Sequence, residues 1–237
     1  MSLVQQVTTA LQDLRQQGKL GSVFGFDINR VNPLAMDFGP DNTTLAAIDP
    51  TDTDSFTKYV FEELERNGTE VGVGGYFEDR VVYQSEVFIT PGQPPRTIHL
   101  GVDVWTHAET PILSPLPGKI HSFGNNDALL DYGPTIIVEY EVDGVKLYAL
   151  HGHLSEDSLE GLQPGQEIAQ GEQIAKIGAP PTNGHWPPHL HYQLMVDMQD
   201  MQADYPGVCS REDIPKYQEI CPDPNLILNI EALNPYD

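Results

Sequence analysis

The sequence predicts a mainly β protein: an antiparallel sandwich or barrel-like sheet core preceded by an N-terminal α+β extension. Three observations carry this prediction. Between residues 96 and 195, many short runs of strand-forming residues are separated by Gly and Pro turns. Inside that block Asp143-Gly144 separates two alternating runs, a strong hairpin signal. Helical spacing of apolar residues is sustained only in the first part of the chain.

Taken in order, residues 3–17 place Leu3, Val4, Val7, Leu11 and Leu14 on one helical face, and Gly18 supplies a stop. Ser22 to Ile28 reads as a short strand, and 29–52, rich in Asn, Asp, Pro and Thr, as loop. Thr53 or Asp54 can cap a second helix holding Phe56, Val60 and Leu64, which Asn67-Gly68 ends. Val71 to Tyr76 and Val81 to Phe88 read as paired strands joined near Glu78-Asp79. The loop Thr90 to Pro95 marks a border, giving an extension over 1–95, a main domain over 96–195 and a C-terminal tail over 196–237 packed on it. Strands are expected over Arg96 to Trp105, Thr110 to Ser114, Gly118 to Phe123, Thr135 to Glu141, Val145 to Leu150, within Gln166 to Ile177, and from His189 to Val196. In the tail, Cys221 to Asn225 reads as a turn and Leu226 to Leu233 as a short helix.

Composition narrows the function. The 237 residues carry 12 Lys plus Arg against 35 Asp plus Glu, a net charge of -23. Such a surface repels phosphate backbones and anionic membranes, so nucleic-acid and membrane partners are not expected. No apolar run approaches the roughly 20 residues of a membrane helix. The first residues lack the basic and apolar regions of an export signal, so a cytoplasmic location is the expectation. Cys209 and Cys221 lack the close spacing of a thiolate metal pair and are expected to be free thiols.

All eight histidines lie between 99 and 191. Five of them fall in three clusters: His99-Leu-Gly-Val-Asp103, His151-Gly-His153 and His189-Leu-His191. The last begins a strand, which puts residues i and i+2 on one face about 6.6 Å apart. Both imidazoles can ligate one metal, or one can ligate while its neighbour touches what the metal holds. Imidazoles with a nearby carboxylate and no thiolate suit zinc, in an open rather than a closed cysteine-rich site. On a straight strand His99 and Asp103 would stand about 13 Å apart. They must converge through a bend, which Gly101 permits.

The ordered set His99-x-x-x-Asp103, His153-Leu-Ser155 and His189-Leu-His191 resembles the signature of the lysostaphin-type (LytM) zinc endopeptidases, known chiefly as peptidoglycan hydrolases. Thr110 to Gly118 and Leu162 to Gly171 look like that family's turn segments. A closer likeness joins Arg96 to Asp103, Asn183 to His191 and Cys221 to Asn225 to a peptidase-like module that occurs fused to kinase-like and class III aminotransferase domains; neither neighbour lies in this sequence.

The resemblance implies the lysostaphin-type fold, a duplicated hybrid motif with a substrate groove over the zinc. It implies that His99, Asp103 and His191 bind Zn2+, and that His153 and His189 are catalytic histidines beside the water. The implied activity is hydrolysis of peptide cross-links by a zinc metallopeptidase, with a peptide partner. Two other readings stand beside it: a catalytically silent metal-binding module, and a histidine phosphocarrier on a related β fold. Gln193 stands where many relatives have an acid, and His185 lies in a segment that is often glycine-rich. His151 reads as a rim or core residue, and His107 and His121 match no signature position. No candidate site residue falls in 1–90, so that segment is read as a possible cover for the groove.

Overall fold

The computed structural model describes residues 1–84 and 88–234. Helix α1 (Leu3–Gln16) opens on a capping box. Ser2 Oγ accepts the Gln5 N–H and Gln5 Oε1 accepts the Ser2 N–H, which satisfies two donors that the helix start leaves free. Its buried face is Val7 and Leu11, while Leu3, assigned to that face by spacing, is 50% exposed. Ser22 to Ile28 forms no strand; it contributes one bridge, from Phe24 to Ile112. The expected loop over 29–52 contains a two-residue strand β1 (Leu34–Ala35) and a single turn α2 (Thr43–Ala46). Helix α3 (Thr53–Arg66) is capped by Asp52, one residue before the predicted cap, and buries Phe56, Val60 and Leu64 as its period requires.

Strand β2 (Gly72–Gly74) follows, but Val81–Gln84 is a 3-10 turn rather than the paired strand expected over Val81 to Phe88; residues 85–87 of that run lie outside the described residues. The β block then runs β3 (Arg96–His99), β4 (Val102–Trp105), β5 (Pro111–Leu113), β6 (Gly118–Asn126), β7 (Gly133–Val142) and β8 (Val145–Gly152). It ends with β9 (Glu167–Ile168), β10 (Gln173–Lys176) and β11 (His189–Met195). The tail adds β12 (Val208–Ser210), α4 (Ile214–Gln218) and α5 (Asn225–Leu228). Asp143 and Gly144 both take positive φ, 50° and 73°, and the β7–β8 hairpin closes on Val142 opposite Val145. That is the geometry Asp-Gly favours.

The fold is mainly β. One eight-stranded sheet has the order β1-β2-β4-β11-β8-β7-β6-β9, antiparallel throughout except for the parallel pair β1–β2. Two smaller ladders, β10–β5 and β12–β3, flank it. Hydrogen bonding crosses the border drawn at residue 95. Strand β2 pairs with β4, and β12 of the tail pairs with β3. One face of the large sheet packs Val104, Val138, Leu147, Leu190, Tyr192 and Leu194 against α1 and the Phe24 segment. The other carries Asp103, His189 and His191. Both cysteines are buried and free. No described helix is long and apolar enough to cross a membrane.

Candidate metal centre

Strand β11 lies at the middle of the sheet, and its alternation sends His189, His191 and Gln193 to one face while Leu190, Tyr192 and Leu194 enter the core. His191 stands directly opposite Asp103 on β4, so the two side chains share a face. His99 arrives from β3. The chain breaks between β3 and β4 at Leu100-Gly101, and this bend brings His99 within reach of Asp103. Gly101 has a second role. A Cβ there would fall 2.6 Å from His191 Cε1 and 2.7 Å from its Nε2, so only glycine leaves room for the imidazole.

Three atoms converge. His99 Nε2 is 3.0 Å from His191 Nδ1, His191 Nδ1 is 3.0 Å from Asp103 Oδ1, and His99 Nε2 is 3.3 Å from Asp103 Oδ1. The remaining atoms of these side chains are held elsewhere. His99 Nδ1 lies 3.1 Å from the Gly75 carbonyl and donates to it. His191 Nε2 lies 3.0 Å from Gln193 Oε1, and Gln193 Nε2 donates to the Pro206 carbonyl, which orients the amide with its oxygen toward the imidazole. Each ring therefore turns a lone pair toward the common point. Two lone pairs and a carboxylate oxygen that close repel unless a cation lies among them. Ligand bonds of about 2.0–2.1 Å in a tetrahedron separate donor atoms by about 3.3 Å, close to the spacings found. The donor set thus fits a small divalent metal.

His189 and His153 adjoin this triangle. His189 Nε2 is 3.9 Å from Asp103 Oδ1, and its Nδ1 donates to the Pro187 carbonyl at 2.7 Å. His153 Nδ1 donates to the Asn183 carbonyl at 2.9 Å, and its ring centroid is 4.2 Å from that of His189. His153 has φ +61°, unusual for a residue with a Cβ. That single left-handed residue separates two histidines that share a cluster in sequence. His151 pairs with Tyr192 on the core face, with Nδ1 3.3 Å from the Ile136 carbonyl. His153, beyond the reversal, enters the site. Elsewhere, His107 is exposed 3.9 Å from Glu70, His121 rests on Ser122 at 2.9 Å, and His185 is half-buried with its carbonyl accepting from Thr53.

The sequence reading missed the residues that support this centre from the extension. Arg80 is 2% exposed and forms an ion pair with Asp103 Oδ2, leaving Oδ1 to face the histidines. Its Nε donates to Glu78 Oε2 at 2.8 Å, and its guanidinium lies over Phe38 and Trp105, 5.1 and 5.6 Å from their centroids. Gly75, which accepts from His99, belongs to the same segment. The one available signal was a lone Arg in a chain with few cations. Tyr132, whose hydroxyl is 3.5 Å from His191 Nε2, was also unmarked.

Burial governs the electrostatics. It lowers His99 and His189 to about 4, with the Arg80 charge adding to the effect, and it pushes His153 well below its ordinary value. These imidazoles are neutral at pH 7. Burial alone would raise Asp103, but the Arg80 guanidinium, together with the imidazoles around it, holds it well below the carboxylate range. Burial opposes the Arg80 charge, and Asp103, Tyr83 and Glu78 outweigh it and keep Arg80 charged. Asp103, His153, His189 and His191 form part of the lining of a cavity of about 490 Å³.

Residues 97–203, which hold all five of these positions, match Peptidase family M23. A stretch of 107 residues is 30% identical to the L-Ala–D-Glu endopeptidase of Bacillus subtilis (strain 168). It covers 43% of this chain and 31% of that relative, so the match spans about a third of the relative's length. Among solved structures, the catalytic domain of lysostaphin from Staphylococcus simulans is 26% identical, over 52% of this chain and 80% of that one, with a TM-score of 0.36. A zinc containing peptidase from Vibrio cholerae is 25% identical, over 45% of this chain and 30% of that one, also with a TM-score of 0.36.

Proposed function

We propose that this chain is a zinc-dependent metalloendopeptidase, with His99, Asp103 and His191 holding the metal and with His153 and His189 as the catalytic histidines. One observation carries the reading: three donor atoms 3.0–3.3 Å apart, each on a side chain whose other polar atom is tied to a separate partner. The match of residues 97–203 to a peptidase family supports it. When bound, the metal supplies a water of lowered pKa and polarises the scissile carbonyl.

The chain's own residues do the rest. Gly75 and Gln193 fix the tautomers of His99 and His191. Arg80 holds Asp103 Oδ2, so that a single carboxylate oxygen faces the centre. His153 and His189, both neutral, have Nε2 free to take a proton from the attacking water and pass it to the leaving amine. In this proposal 96–195 is the peptidase-like unit, while 1–95 and 196–237 complete its surroundings. The partner is a peptide, and neither nucleic acid nor membrane is assigned.

The test is cleavage of a peptide panel by zinc-loaded protein, with and without chelator. The panel spans glycine-rich peptides, muropeptides and peptides with large side chains. Chelator-sensitive cleavage, reduced by about 10²- to 10⁴-fold in His153→Ala with metal content kept, is the expected result. If no peptide is cut, the silent metal-binding module takes its place.

A further inference from the structure

The cavity before the imidazoles is walled by aromatic rings from separate parts of the chain. Phe38, Phe56, Tyr83 and Phe88 come from the extension, Tyr132 from the residue before β7, and Tyr205 from the tail. Trp105 and Trp186 complete the wall and are the two tryptophans of the sequence. The rings brace one another. Phe38 stacks on Trp105 at 4.6 Å, and Phe56 and Tyr83 meet Trp186 edge-on at 6.0 and 6.4 Å.

These walls are built into the fold rather than laid over it. The extension enters the large sheet through β2 against β4, and Arg80 ties it to Asp103. His153, His189 and His191 are at most 5% exposed. A volume of about 490 Å³ lies in the range of small-ligand pockets. Of these rings Tyr83, Tyr132 and Trp186 keep 7–8% of their surface exposed; glycine or alanine beside the reacting bond would leave them uncovered, and a large apolar side chain would cover them.

We infer that the site selects short peptides carrying a bulky apolar side chain, aromatic or branched, beside the bond that meets the imidazoles. The bond-breaking step rests on the hydrolase reading above, whereas the side-chain preference rests on the cavity. Water is the sole co-reactant: its oxygen bonds to the carbonyl carbon, the C–N bond breaks, and the amine leaves with a proton.

Both tryptophans line the cavity, so their emission reports its filling. The zinc-loaded chain is titrated with blocked tripeptides Ac-Ala-X-Ala-NH2, where X is Gly, Ala, Leu or Phe, and the same peptides are followed for cleavage by mass spectrometry. The Leu and Phe peptides are expected to bind at least about tenfold more tightly than the Gly peptide, from burial of one apolar side chain. Their kcat/KM should exceed it by a similar factor, with intact peptidoglycan left undigested. Selective binding without cleavage would uphold this inference and remove the hydrolase reading. Equal binding across X, no binding of any peptide, preferred cleavage of the Gly peptide, or digestion of peptidoglycan at the short-peptide rate would overturn it.

Discussion

Replacing Arg80 with Met tests whether the extension is part of the centre. The substitution keeps an apolar stem against Phe38 and Trp105 but removes the charge that faces Asp103. Both partners are almost wholly buried, with side chains 2% and 3% exposed, so water cannot replace the lost cation. Two unit charges about 4 Å apart interact by about 4 kcal/mol at an effective dielectric of about 20. Breaking a buried pair from one side costs about 3–5 kcal/mol, because the other charge stays uncompensated. Metal-free Arg80→Met should therefore lose about 3–5 kcal/mol in urea denaturation. Asp103→Asn removes the charge from the other side, and the double variant should show a coupling of at least about 2 kcal/mol. Adding a divalent metal should recover more stability in Arg80→Met than in the native chain, because Asp103 regains a cation. Additivity within about 0.5 kcal/mol would refute the account, as would a metal-free variant as stable as the native protein.

Three further outcomes follow from the same geometry. His191→Ala should abolish stoichiometric zinc binding by metal analysis, and retained metal would reject the assigned donor set. Burial lowers His151 from 6.5 to about 4, so the unfolded chain takes up its proton first as pH falls. Its contribution is intact above about pH 6.5 and is lost progressively towards pH 4, by about 2 kcal/mol between pH 7 and pH 5. His151→Phe should flatten the pH dependence of the urea midpoint by that amount, and an unchanged slope would show that His151 is not the titrating group. Removing residues 1–90 should weaken metal binding and lower turnover, because β2 and Gly75, which position Asp103 and His99, go with them. Higher turnover after trimming would restore the idea of a detachable cover.

The sequence alone determined what short-range physics decides. The two long helices follow from apolar spacing and their stops, and the β7–β8 hairpin follows from Asp143-Gly144. The shared face of His189 and His191 follows from strand alternation, and the need for a bend between His99 and Asp103 follows from their spacing. Each of these depends on a few neighbouring residues. What tertiary structure decided has no local signature. Strands β1 and β2, two and three residues long, exist because a neighbouring strand supplies their hydrogen bonds. His151 and His153 part company through one left-handed residue, and pattern alone cannot foresee which histidine follows the reversal. Arg80 and Gly75 lie outside any motif and meet the centre only because the extension pairs along β4. Residue types announce which atoms can donate, but the direction of each lone pair, and the closure of the space before it, depend on contacts between segments far apart in the chain.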